Sequence, residues 1–295
     1  MNNLPTVRGT IEHDANIAKG TWFRVGGRAE VLFKPSDIDD LSDFLKNCPN
    51  DIPVTMLGLG SNLIIRDGGI KDVVIKLGKS FSDITHDNNI VTVGAGASDV
   101  LVARYGAKYG LSGMEFLVGI PGNIGGALRM NAGAYGTEMA DILIDARVMH
   151  RDGTIKTYTV DDMNLSYRHN GLPRDVIFLS ARLKTTNGDP AQIQSRLDDI
   201  KRQREDTQPV KDRTGGSTFA NPDGHKAWEL IDSVGGRGFK IGGASMSEKH
   251  CNFMLNDGTA TARDLENLGD EMIRRVAEKH GITLRWEIQR IGEWK

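Results

Sequence analysis

Four glycine-rich turns, each set beside an apolar run in the first half of the chain, carry the chemistry most directly readable from this sequence. They are Gly58-Leu59-Gly60-Ser61-Asn62-Leu63, Gly94-Ala95-Gly96, Gly119-Ile120-Pro121-Gly122-Asn123-Ile124-Gly125-Gly126 and Asn131-Ala132-Gly133-Ala134-Tyr135-Gly136. Glycine lets the backbone turn tightly and approach a ligand with no Cβ in the way, so unpaired N–H groups can aim at phosphate oxygens. The first turn lacks the third glycine of the dinucleotide fingerprint, and the chain has no GxxxxGK[ST] element. Neither a Rossmann crevice nor a P-loop is therefore supported, and the pattern reads as a different surface for a nucleotide cofactor.

The elements that must position these turns alternate between β-type and helical signals, which favours a mixed α/β or α+β build. A strand at 31–33 leads to Ser36, the expected N-cap of a helix with Ile38, Leu41, Phe44 and Leu45 on one face, ended by Pro49 and Pro53. Strands are expected at 54–57, 63–65 and 73–77. A second unit opens near Ser80, with a strand at 90–93 and a helix capped by Ser98. Its hairpin, 142–150 and 154–159, turns at Arg151-Asp152-Gly153, followed by a strand at 176–183 and a charged helix over 190–206. The polar stretch Thr207-Gln208-Pro209 marks a boundary, giving expected domains at 1–79, 80–207 and 208–295. The last domain holds a helix around 226–234 and another starting at Thr261, where Thr261 and Asp264 have capping-box spacing. A single final strand over 283–291 closes the chain.

Composition excludes several classes. With 37 Lys plus Arg against 39 Asp plus Glu, the net charge of -2 provides no overall field for nucleic acid or an anionic membrane, so any anion site is local. Cys48 and Cys251 form neither a CxxC pair nor a disulfide framework, which suits a reducing compartment. The first twenty residues lack the apolar core of a signal peptide, and no stretch approaches the roughly 18 apolar residues of a membrane span. A cytoplasmic protein is expected.

The ordered series Phe23-Arg24-Val25-Gly26-Gly27, the turns at 58–63, 119–126 and 131–136, Ser166-Tyr167-Arg168, Gly216-Ser217-Thr218-Phe219-Ala220-Asn221-Pro222 and Ile241-Gly242-Gly243-Ala244 resembles the UDP-N-acetylenolpyruvoylglucosamine reductase family. The resemblance runs over nearly the whole chain. It implies a two-subdomain FAD-binding fold of the vanillyl-alcohol-oxidase/PCMH-like type, with a C-terminal α+β substrate domain whose last strand packs back on the FAD domain. It further implies a UDP-N-acetylmuramate dehydrogenase of peptidoglycan precursor synthesis, with non-covalent FAD and with NADPH as reductant. The cofactor positions it implies are Gly58, Leu59, Gly60, Ser61, Asn62, Leu63, Gly94, Ala95, Gly119, Ile120, Pro121, Gly122, Ile124, Gly125, Gly126, Asn131, Gly133, Ala134 and Tyr135.

Three catalytic positions follow by the same resemblance: Ser217 as proton donor, with Arg168 and Glu287 gripping and polarising the substrate carboxylate. Taken alone, a serine after two glycines is a turn or cap residue, and Arg168 is a surface cation. Glu287 interrupts the apolar alternation of the last strand and, taken alone, is a carboxylate on its wet face. The resemblance places Asn221 at the UDP-sugar, and Tyr167, Lys249, His250 and Asn252 lie in segments turned toward it. No His/Cys cluster surrounds His250, so a metal is not expected. Between Arg168 and Ser217 there is no room for the tyrosine-lid insertion of the longer enzymes, so Lys211 or Arg213 is expected to serve the diphosphate in this shorter type. The expected partner is a small UDP-sugar, with neither nucleic acid nor membrane, and the chain a monomer or weak oligomer. Two alternatives stay open: a non-catalytic nucleotide-binding protein, and a related FAD-dependent small-molecule oxidase.

Overall fold

Alternating apolar residues in the strands and one-sided helices bury three separate clusters, which the chain visits out of order. The computed structural model describes residues 4–295. Two compact units result: one holds the residues up to 13 with 31–58 and 72–203, the other holds 14–30, 59–71 and 204–295. Two short early segments therefore belong with the C-terminal third rather than with their neighbours in sequence. Among the described residues, no helix is long and apolar enough to cross a membrane.

In the first unit, a four-stranded sheet has the order Thr10–Ala15, Ala29–Lys34, Ile70–Ile75, Val54–Met56. Helix α1 (Ile38–Asn47) contributes Leu41, Phe44 and Leu45 to a cluster with Val31, Phe33, Val73 and Ile75. The Phe33 and Phe44 rings lie 4.4 Å apart, and burying each such side chain is worth about 1.5–3 kcal/mol. The α1 cap differs from expectation by one residue. Asp37, not Ser36, accepts from the Asp40 N–H, because the Ser36 N–H and hydroxyl both turn to the Asp40 carboxylate.

The same unit carries a five-stranded antiparallel sheet in the order Ile155–Thr159, Leu143–Met149, Ile177–Lys184, Ile90–Gly94, Ile84–Asp87. Its inner face, including Val91, Val93, Ala146, Val148 and Ala181, is covered by residues of helices α2 (Asp99–Tyr109), α3 (Ile124–Arg129), α4 (Met139–Ile142) and α5 (Pro190–Thr207). Ser98 stands at the N-cap of α2 as expected, but its hydroxyl makes no cap bond.

The second unit packs helices α6 (Ala227–Ser233) and α7 (Ala262–His280) with a three-stranded antiparallel sheet, Lys240–Ile241, Ala244–Met246 and Met254–Asn256. Leu265, Leu268, Met272 and Val276 of α7 share their cluster with Phe23, Val25 and Ile64. The α7 capping box is formed: Thr261 Oγ1 accepts from Asp264 N–H, and the Asp264 carboxylate accepts from Thr261 N–H. Asp67 adds its two oxygens to the N–H groups of Ala262 and Arg263. The single strand expected at the chain end is broken. Arg285–Trp286 pairs antiparallel with Phe219–Ala220, and Gln289–Ile291 then pairs parallel with Leu63–Ile65. The chain end thus changes partner between its two short strands, with Glu287 in the gap between them and a bend at Ile288.

Candidate active site

The turn at residues 58–62 leaves its backbone donors unspent. Among the described residues, the N–H groups of Gly58, Leu59, Gly60 and Ser61 have no hydrogen-bond partner, although Gly60 is buried. Consecutive N–H groups of this kind form an anion-binding nest, so this turn fits the diphosphate of FAD. Asn62 closes the turn by donating from Nδ2 to Glu287 O at 3.1 Å, while its own carbonyl accepts from Gln289 N–H at 3.0 Å. Leu63 starts the strand that pairs with Gln289–Ile291.

The second and third turns are knitted together within the first unit. Gly125 N–H donates to Ala95 O at 2.8 Å, Ile124 N–H to Ala97 O at 3.0 Å, and Asp99 N–H to Gly122 O at 3.1 Å. Gly94 and Ala95 spend their own N–H groups on Asp83 O and Leu179 O. These residues shape a floor of close-packed backbone, in which a Cβ on Gly125 would meet Ala95 O at 3.2 Å. Gly119 is packed against Tyr135, whose hydroxyl donates to Ile200 O at 3.3 Å. Asn123 was absent from the sequence-derived cofactor positions, yet it caps α3 through Gly126 N–H, and its Oδ1 is the atom a Cβ on Gly58 would strike, at 2.7 Å. Its position just before a short apolar run is the N-cap signal that could have found it.

The fourth turn is tied to Arg168. Asn131, fully buried, donates from Nδ2 to Ser166 O at 3.1 Å and accepts from Ala140 N–H at 2.9 Å. Arg168 Nη2 in return donates to Gly133 O at 3.0 Å. Ser166 and His169 exchange backbone hydrogen bonds, which makes a tight turn with Tyr167 and Arg168 at its tip. Arg168 has φ +55°, a left-handed conformation that costs a non-glycine residue about 1 kcal/mol and aims its guanidinium by backbone strain. Tyr167 is exposed and lies under the guanidinium, with Cζ 5.0 Å from its ring centre.

In the second unit, Glu287 is bonded to the residue that follows Ser217: its N–H donates to Thr218 O at 2.9 Å. Gly216 precedes Ser217 with φ +80°, and a Cβ on Gly215 would lie 2.3 Å from the Phe23 ring. Both glycines are therefore dictated by the way Ser217 is delivered. Ser217 and Glu287 are each half-buried.

The substrate-side residues divide by environment. Asn221 is exposed, with Oδ1 accepting from Ala227 N–H at 2.9 Å at the start of α6. Lys249 is exposed, reaches Glu205 O through Nζ, and lines a 320 Å³ pocket with Asp212, Lys240, Ser245 and Ser247. Arg213 is half-buried beside Gly258, its backbone paired with Asn256, while Lys211 is exposed. Burial holds the His250 imidazole below its usual pKa, so the ring is neutral near pH 7. Asn252 is buried, and its amide is engaged by the backbone of Phe219.

Comparison with known proteins accounts for both halves. Residues 29–159 match the FAD binding domain family, and residues 208–291 match the C-terminal domain family of UDP-N-acetylenolpyruvoylglucosamine reductase. The chain is 54% identical over 289 residues to the UDP-N-acetylenolpyruvoylglucosamine reductase of Paramagnetospirillum magneticum, covering 98% of this chain and 94% of that one. It is 51% identical to the enzyme of the same name from Rickettsia conorii, covering 98% of each. A crystal structure of UDP-N-acetylenolpyruvylglucosamine reductase from Thermus caldophilus superposes with a TM-score of 0.82 at 35% identity, covering 97% of this chain and 99% of that one. An FAD-binding type of domain followed by the C-terminal domain of that reductase, in a chain more than half identical to it over nearly its whole length, settles the kinship: the chain belongs to the UDP-N-acetylenolpyruvoylglucosamine reductase family.

Proposed function

We propose that this chain reduces the enolpyruvyl ether of UDP-N-acetylglucosamine enolpyruvate to UDP-N-acetylmuramate, with bound FAD as carrier and NADPH as reductant. Bound FAD would supply the electrons as a hydride to the terminal vinyl carbon, and NADPH would restore them. The turn at 58–62 would hold the diphosphate, and the turns at 94–96, 119–126 and 131–135 are the segments of the first unit expected to meet the cofactor. Negative charge then moves through the neighbouring carbon into the substrate carboxylate. Arg168 meets it with a fixed cationic fork, and Glu287, in its protonated form, donates a hydrogen bond to the same oxygens. Ser217 hands its hydroxyl proton to the carbon beside the carboxylate. Tyr167, Arg213, Asn221 and Lys249 take the UDP-sugar.

The single observation that carries this reading is the Glu287 N–H bond to Thr218 O at 2.9 Å, which ties the carboxyl-bearing residue to the residue directly after Ser217. The test is stopped-flow flavin absorbance on the purified protein. NADPH should bleach the flavin, and the enolpyruvyl UDP-sugar should restore its colour in a second, separate phase. Bleaching without restoration by that substrate, but with restoration by dioxygen and oxidation of a small alcohol, would replace the reductase with an oxidase.

A further inference from the structure

Asn252 lies just before the strand Met254–Asn256 and is only 3% exposed. Its amide makes a two-way exchange with one residue: Nδ2 donates to Phe219 O at 2.8 Å, and Oδ1 accepts from Phe219 N–H at 3.0 Å. Its backbone carbonyl accepts from Thr218 N–H at 2.7 Å. On the other side of the same segment, Thr218 O accepts from Glu287 N–H, and Phe219 pairs with Trp286. Residues 218 and 219 are thus clamped between Asn252 and the bent chain end, with Ser217 emerging from the clamp. Among the described residues Thr218 Oγ1 and Trp286 Nε1 have no partner, so the two-way amide exchange between Asn252 and Phe219, together with the Thr218 backbone bonds, is what fixes the geometry of this segment.

We propose that Asn252 is a positioning residue, which sets Ser217 against Glu287 and makes no contact with the UDP-sugar. Phe219 engages both ends of the Asn252 amide and Asn252 is buried, which directs its bonding to the protein's own backbone. The inference rests on the roles given above to Ser217 and Glu287.

The discriminating variant is Asn252→Asp, studied as the full-length, FAD-loaded protein. An ionised carboxylate at this position still accepts from Phe219 N–H but opposes its second oxygen to Phe219 O. The protonated carboxyl donates to that oxygen and restores both bonds. Burial raises the pKa of a carboxyl here, so the restored geometry is present at low pH and is lost as pH rises through the raised value. The titratable neighbours are His250, whose Nδ1 accepts from Asn252 N–H at 3.3 Å, and Cys251, whose thiol burial pushes up to about 11. Wild type carries both, so the difference between the two pH profiles isolates the new carboxyl.

Flavin content and bleaching by NADPH should match wild type, and the dissociation constant for the enolpyruvyl UDP-sugar should be unchanged. Reoxidation by saturating substrate should be roughly 10–100-fold slower than wild type near pH 8 and should recover toward it near pH 5.5. If the variant folds poorly, Asn252→Leu should show the same slow reoxidation with no recovery at low pH. A weakened substrate dissociation constant with normal reoxidation at saturation overturns the proposal in favour of a ligand contact. Normal reoxidation near pH 8 overturns it when Ser217→Ala and Glu287→Gln are slow. Normal reoxidation in those two variants removes the roles on which it stands.

Discussion

A serine hydroxyl is a weak acid, so Ser217 can donate a proton only by being held at the reacting carbon, and its neighbours show how the holding is done. Gly215 admits the Phe23 ring, Gly216 takes φ +80°, and Thr218 is bonded on both sides. Ser217→Ala should leave flavin bleaching by NADPH intact while slowing reoxidation by the enolpyruvyl substrate about 10²–10⁴-fold; equal slowing of both half-reactions would count against a proton-donor role. Glu287→Gln should likewise spare flavin content and injure only the second phase. Another carboxyl sits where no charge is welcome. Asp99 is fully buried beside Gly122, its two carboxyl oxygens have no hydrogen-bond partner among the described residues, and desolvation pushes its pKa well above the usual carboxylate range. A raised folded-state pKa means that folding binds the proton more tightly, so the stability cost of this group grows as pH rises above its unfolded value near 4. Asp99→Asn should therefore raise the melting temperature near pH 8, with the gain shrinking to nothing below about pH 4. A constant gain across that range would show that shape, not charge, is responsible.

Among the elements, those defined by local chemistry were legible in the sequence and those defined by distant partners were not. The strand Leu63–Ile65 stood between two glycine turns, and the α7 start combined Thr261 and Asp264 at cap spacing before an apolar periodicity. Both are found where the pattern put them. The α1 cap moved by one residue because Ser36 and Asp37 are both good caps, and the choice depends on which of them the Asp40 carboxylate engages. The break after Trp286 was not legible because Glu287, which interrupts the alternation, reads equally well as a carboxylate on the wet face of one continuous strand; only the switch from Phe219–Ala220 to Leu63–Ile65 as partner reveals it. The amide of Asn252 gave no local signal either, since its bonds reach 33 residues back along the chain. For α7, Thr261→Ala removes one side of the capping box and should cost about 1 kcal/mol. In a chain of this size that is a melting-point loss of about 2 °C, measurable by calorimetry. A loss near zero would mean that Asp67, bonded to Ala262 and Arg263, caps this helix unaided.

At the scale of the molecule, glycine turns predict a cofactor, and the cofactor should in turn hold the protein together. Deflavinated protein given FAD at about 100 times its dissociation constant should gain about 2.7 kcal/mol of stability, seen as a concentration-dependent rise in melting temperature; a melting point indifferent to FAD would mean that the N–H nest serves something else. Sequence order, by contrast, was a poor guide to which residues share a core. Phe23, Val25 and Ile64 sit in one apolar cluster with Leu265, Leu268 and Met272. This has a consequence for synthesis on the ribosome. Residues 14–30 and 59–71 emerge long before 204–295, the stretch that covers them. At translation speeds of about 5–20 residues per second, these apolar side chains wait roughly 10–45 seconds before the whole covering stretch is made. In that interval the nascent chain is a natural client for a holding chaperone, and slowing elongation beyond residue 71 should lengthen the exposure and increase aggregation.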